Sequence, residues 1–266
     1  MAYNTPVPSL DEILHFLRDL APEESALPGD PVGLLIGPAA VRPVTTIGVC
    51  VDASVGAVAT AIHAGSELVV AHHPLIYHPL KRINPAIDPI GRAVGLLVRS
   101  ETALYAMHTN WDRAAGGIND TLARALSLGE FRPLAAEGER SLPRIGRLPA
   151  PMTLAALSHL IEERLDCRGS SSLRHTAFDN RTIETVAVCG GAGAFLAAEV
   201  QRAGAGAYIT SDVRHHEFID AAGRGLALFD AGHYATEAPG MRALADHLAR
   251  EYPAVRVIRC DEGNSL

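Results

Sequence analysis

One succession of segments (apolar strand, turn, helix, glycine, apolar strand) is written twice in this chain, and that repetition restricts its fold more than any other feature. Residues 44–51 are rich in β-branched side chains and bounded by Pro43 and Asp52, so they read as a buried strand; residues 53–64 read as the following helix and Gly65 as its stop. Farther on, residues 183–189 read as a strand, Gly190-Gly191-Ala192-Gly193 as a turn, residues 194–203 as a helix, Gly204 as its stop and residues 207–210 as the next strand. A shift of 139 residues lays Ile47-Gly48-Val49-Cys50 on Val186-Ala187-Val188-Cys189 and Ala64-Gly65 on Ala203-Gly204 without a gap. His72-His73 then falls on Ser211-Asp212. Repeated βαβ units demand mainly parallel strands, helices on the sheet faces and right-handed crossovers. The expected fold class is therefore α/β, with two related lobes made by internal duplication, each around a mostly parallel sheet.

A length of 266 residues with 48% hydrophobic content suffices for two cores of ordinary size. Pro133, Pro143, Pro149 and Pro151 punctuate residues 131–152 and mark that stretch as the expected linker. Residues 1–130 would then form the N-terminal lobe and residues 153–266 the C-terminal lobe. Residues 9–20 open the chain as an amphipathic helix, with Ser9 and Glu12 in capping-box spacing and Leu10, Ile13, Leu14 and Leu17 on one face.

A net charge of −7 does not support nucleic acid as a general partner, because binding phosphates needs a basic stripe. No apolar run approaches the roughly 20 residues that span a bilayer. Cys50, Cys167, Cys189 and Cys260 are scattered without a CxxC pair, which fits reduced thiols. The opening Met1-Ala2-Tyr3-Asn4 has no leader character, so a cytoplasmic location is expected.

Two segments 125 residues apart concentrate the chemistry: His108-Thr109-Asn110-Trp111-Asp112 and His233-Tyr234-Ala235-Thr236-Glu237. Each is an imidazole followed four residues on by a carboxylate, and each follows an apolar strand, the place where α/β proteins put their chemistry. Ala71-His72-His73-Pro74 ends a third such run. Neighbouring residues on a strand point to opposite sides, so His72 and His73 are expected to serve different ions. A residue pair at i and i+4 shares one face if its segment turns helical. Such ligands suit two divalent ions about 3.5–4 Å apart, an arrangement that activates water and steadies an oxyanion. In isolation, each pair also fits ordinary helix capping; recurrence at equivalent places in a duplicated fold favours the metal reading. Gly190-Gly191-Ala192-Gly193 lacks the third glycine and the acidic residue of a dinucleotide fingerprint. It reads as a tight turn, with phosphate contact as the alternative.

Ala71-His72-His73-Pro74, the segment from Met107 through His108-Thr109-Asn110-Trp111-Asp112 to Asp120, and Ala231-Gly232-His233-Tyr234-Ala235-Thr236-Glu237 resemble the three signature segments of the NIF-three-like proteins, often labelled GTP cyclohydrolase I type 2 homologs. The resemblance extends to Thr210-Ser211-Asp212-Val213-Arg214-His215-His216 and covers nearly the whole chain. Around Asp30, Gly29 and Pro31 depart from the Trp-Asp-Asn that the family places before Val-Gly-Leu.

This resemblance implies two divalent metal ions per chain (Zn, Fe, Mn, Co or Ni) on His72, His73, Asp112, His233 and Glu237, with Glu237 as the candidate bridge. It places His108 near the ions, as an acid/base group, an orienting group or a sixth ligand. His216 and Asp212 become candidates for proton transfer or substrate contact. The resemblance further implies a ring-shaped homohexamer, a trimer of dimers, and a nucleotide or other phosphate-containing substrate. GTP would be opened at its imidazole ring, with loss of formate, to dihydroneopterin triphosphate. The competing expectation is a metal-binding ring that catalyses nothing and serves as a scaffold for protein or nucleic acid, or in metal handling.

Overall fold

The structure is a computed structural model that describes residues 7–40, 42–134, 141–165, 167, 173–177 and 180–261. The first four residues and residues 135–140 of the expected linker lie outside the described residues. Two compact units emerge. Described residues up to Ala114, with those from Met241 onward, make the first; those from Ala115 to Gly240 make the second.

In the first unit the chain runs through α1 (Leu10–Leu20), β1 (Gly33–Ile36), β2 (Thr46–Asp52), α2 (Val55–His63), β3 (Leu68–His73), α3 (Pro89–Ser100), β4 (Ala103–Ala106) and the single turn α4 (Thr109–Arg113). The second unit holds α5 (Ile118–Ala125), β5 (Gly129–Pro133), β6 (Arg144–Thr153), α6 (Leu154–Leu165), β7 (Arg174–His175), β8 (Thr182–Val188), α7 (Ala197–Arg202), β9 (Ala207–Thr210), α8 (His215–Gly223) and β10 (Ala227–Asp230). Helix α9 (His233–Glu251) starts in the second unit and, from Met241, belongs to the first, where β11 (Arg256–Arg259) completes the sheet.

The first sheet has the order β1-β4-β3-β2-β11, parallel except for β1. The second has the order β5-β6-β8-β9-β10-β7, in which β8, β9 and β10 are parallel and β5, β6 and β7 run antiparallel at the two sides. Residues 131–152, read above as a linker, correct that expectation. Their described part forms most of β5 and β6, and β6 pairs with β8 from Arg144↔Val188 to Thr153↔Thr182. Prolines are tolerated there because β5 lies at a sheet edge and the β6 pairing is interrupted between Arg147 and Met152.

Strand register carries the duplication into three dimensions. Ile47 and Gly48 pair with Leu68 and Val69 in the first unit; Val186 and Ala187, 139 residues on, pair with Ala207 and Tyr208 in the second. Leu68↔Ala103 is likewise matched by Ala207↔Ala227. The apolar runs of these strands follow from burial on both faces. Along β8 and β9, Val186, Val188 and Ile209 join one core with Leu157, Ile161 and Phe229, while Ala187 and Tyr208 join another with Val200, Leu226 and Leu228. In the first unit Val69, Leu104 and Cys50 pack with Val58, Val94 and Leu97 beneath α2 and α3.

Local signals set the helix starts. Ser9 and Glu12 form the expected capping box on α1, and the Ser54 hydroxyl accepts from the Ala57 N–H to cap α2. The helix expected over 194–203 is instead a 3-10 turn, Ala194–Leu196, followed by α7. All four cysteines are buried and free. Among the described residues no helix is long and apolar enough to cross a membrane.

Candidate functional site

Four predicted residues meet at the C-terminal ends of β3 and β4 in the first unit. His72 is fully buried, and its Nδ1 lies 2.8 Å from the Met107 carbonyl oxygen. A carbonyl only accepts, so Nδ1 carries the proton and Nε2 of the neutral ring keeps its lone pair. That Nε2 lies 3.7 Å from the Asp112 carboxylate. His73 turns its Nδ1 to Asp52, at the end of β2, at 2.8 Å, and His108 turns its Nδ1 to Asp30 at 2.7 Å. The three rings stand 4.8 to 5.5 Å apart between centroids, and they offer ligand nitrogens within 4.8 Å of one another. His72 and His73 were expected to diverge as strand neighbours. Instead, at the strand end, their ring planes are tilted by 49° and their nitrogens come within reach of a common ion.

Helix α4, which carries Asp112, is too short to persist on propensity alone. Side-chain hydrogen bonds to the loop after α1 hold it in place. The Asn110 amide donates to the Ala21 carbonyl, the Thr109 hydroxyl accepts from the Leu27 N–H, and Asp30 accepts from the backbone N–H and hydroxyl of Thr109. Trp111 is fully buried beneath them. Burial raises the Asp30 pKa, but hydrogen bonds from His108 and Thr109 outweigh it and leave the carboxyl below its ordinary value. Asp30 therefore faces His108 as a carboxylate.

The second unit supplies His233 and Glu237 on the first turns of α9. His233 Nε2 lies 3.0 Å from the Glu237 carboxylate, and Nδ1 lies 2.6 Å from that of Asp212, just past β9. Glu237 is buried. The glycine turn passes so close that a Cβ on Gly191 would stand 2.4 Å from Glu237 Oε1 and 3.2 Å from His233 Nε2; Gly191 also has φ of +65°. Only glycine suits that position. Gly190 donates its N–H to Asn119, Gly191 to Thr236 and Gly193 to Thr210, at 2.7, 3.0 and 2.9 Å. With those donors satisfied inside the protein, the segment is a tight turn and not a phosphate cradle.

His216 stands apart. It is exposed at the second position of α8 and joins neither group of potential ligands among the described residues. Asp212, expected to move protons or touch substrate, instead binds the His233 ring. Sequence reading missed Asp30, Asp52 and Gly191 as parts of the site. Asp30 left one usable trace, an acid retained between two departures from the family pattern; Asp52 read only as a strand boundary.

Imidazole nitrogens beside carboxylates, each ring held through its other nitrogen, are the donor chemistry of a divalent transition-metal site. The residues present in each unit fit such a group.

Comparison with known proteins agrees with this architecture. Over 239 residues, 88% of this chain and 83% of the relative, the sequence is 37% identical to a Streptomyces coelicolor protein named GTP cyclohydrolase 1 type 2 homolog. A Lactococcus lactis protein of the same name is 33% identical over 247 residues, 91% of each chain. Among solved structures, a Bacillus cereus protein related to NIF3 has the same fold, with a TM-score of 0.87 at 23% identity over 96% of this chain and 97% of that one. The Duf34/NIF3 (NGG1p interacting factor 3) family matches residues 8–264, and the chain belongs to that family.

Proposed function

We propose that this chain is a divalent-metal-dependent hydrolase whose dinuclear centre takes His72, His73, Asp112, His233 and Glu237 as ligands, and that it opens the imidazole ring of GTP with loss of formate. The half-sets in the two units serving one centre is part of the proposal, as is Glu237 bridging the ions. The reading is carried by one observation: each imidazole is held at Nδ1 by a carbonyl or a carboxylate, and for His72 and His233 the remaining nitrogen lies 3.7 and 3.0 Å from a second carboxylate. The names of the bacterial relatives support the choice of GTP.

When bound, two divalent ions supply Lewis acidity, bringing the pKa of water toward neutral and offsetting negative charge on the attacked group. The chain's own residues set the geometry. Met107 fixes the tautomer of His72, and Asp52 does the same for His73. His108, locked to Asp30, keeps its Nε2 for accepting and returning a proton. The same resemblance supports a hexameric ring, for which light scattering should return about six chain masses.

Metal analysis of untagged protein, coupled to turnover of GTP, other nucleotides and phosphate esters after reconstitution with Zn, Mn, Fe or Co, tests the reading. Two ions per chain and metal-dependent GTP opening, both lost in Glu237→Ala, are expected. Two ions with no turnover would leave a metal-holding scaffold, and no bound ion would overturn the reading.

A further inference from the structure

We propose that Asp212 is a positioning residue for His233, held in a left-handed backbone conformation in order to aim that ring. Asp212 follows β9 with φ of +54°, a region that favours glycine and that other residues occupy at some cost. Its side chain is about half exposed, so burial does not explain the conformation. What the conformation accomplishes is a 2.6 Å hydrogen bond in which His233 Nδ1 donates to Asp212 Oδ2.

The surrounding backbone is arranged to keep that bond. Asp230, buried at the end of β10, accepts from the Val213 N–H at 3.1 Å with one oxygen and from the Gly232 N–H at 3.2 Å with the other. It thereby ties the residue after Asp212 to the residue before His233. Arg174 pairs with the same Asp230 carboxylate and donates to the Val213 carbonyl. Asp212 and His233 are thus held from both strand ends, with His233 Nε2 directed to Glu237.

A carboxylate on the far nitrogen of a metal-ligating histidine fixes ring orientation and raises ligand basicity, and its removal weakens binding about 10–100-fold. In its metal arm this inference rests on the reading of His233 as a ligand; in its orientation arm it does not.

The test compares full-length wild type, Asp212→Gly and Asp212→Asn by zinc affinity in competition with a chelator, by thermal unfolding, and by the NMR signal of the His233 Nδ1 proton in metal-free protein. Glycine accepts the positive φ, so Asp212→Gly should fold with a midpoint no lower than wild type, bind zinc about 10–100-fold more weakly and lose the slowly exchanging Nδ1 proton. Asparagine keeps an acceptor and tolerates the same φ, so Asp212→Asn should retain that proton and most of the affinity. An unprotected Nδ1 proton in wild type, or Asp212→Gly binding zinc as tightly as wild type, would overturn the proposal. Wild type that binds no zinc while showing the protected proton would defeat the metal reading and leave the orienting role standing.

Discussion

The two units place the same three parallel strands in the same register, yet arm them differently. In the first, the strand end at His72-His73 supplies imidazoles and α4 adds His108 and Asp112. In the second, the matching strand end is Ser211-Asp212, and the potential ligands come from α9 alone. The position that is His73 in one copy has become, as Asp212, the residue that holds a histidine in the other. Strand β10 is also followed by one more residue than β4: Met107 and Ala231 make equivalent backbone bonds to Ala71 and Thr210, after which Gly232, with φ of +86°, intervenes before His233. That insertion accounts for the offset of 125 between the two motifs. A duplicated frame conserves where backbone ends lie; which donors stand there is free to diverge.

The largest effects should follow from removing one carboxylate from each unit. If both units feed one centre, Asp112→Ala and Glu237→Ala each lower metal-dependent turnover by roughly three orders of magnitude, about 4 kcal/mol of transition-state stabilisation. Steady-state kinetics on reconstituted protein measure this, and full turnover in either variant would separate the units functionally.

Next comes an anchor of the second unit, the buried Arg144, which donates to Asp120 at 2.6 Å while Asp120 also accepts from the Gly116 N–H. Arg144→Ala strands a largely buried carboxylate and should cost roughly 3–5 kcal/mol in denaturant unfolding.

A smaller effect probes the turns after β2 and β8. Ser54 caps α2, whereas its counterpart 139 residues on is Gly193, where a Cβ would stand 2.6 Å from Tyr208 Oη and 2.7 Å from Thr210 Oγ1. Gly193→Ser should destabilise by about 1–3 kcal/mol through crowding. Ser54→Ala should cost about 1 kcal/mol and Ser54→Gly only a few tenths. Equal costs at the two positions, read from unfolding midpoints, would show that the copies tolerate the same residue after all.

Much of this was legible beforehand because it depends on local periodicity. The capping box of α1, the strand 207–210 and the stop at Gly65 are properties of short segments. The linker expectation at 131–152 failed because prolines report local backbone preference, whereas an interrupted, edge-side pairing absorbs them. The helix expected at 194–203 was shortened because the turn before it is drawn in by Thr210 and Tyr208, distant residues that local pattern does not register.

By itself the sequence determined the α/β class, the duplication and the identity of the histidines and carboxylates at the strand ends, since hydrophobic period and motif recurrence are written residue by residue. Only the tertiary structure decided which nitrogen of each histidine is held. It also decided that Asp30, Asp52 and Asp212 do much of the holding, that Gly191 must be glycine, and that His216 faces solvent. Those facts depend on partners 21 to 78 residues apart in the chain, brought within hydrogen-bond distance only by the packing of the sheets.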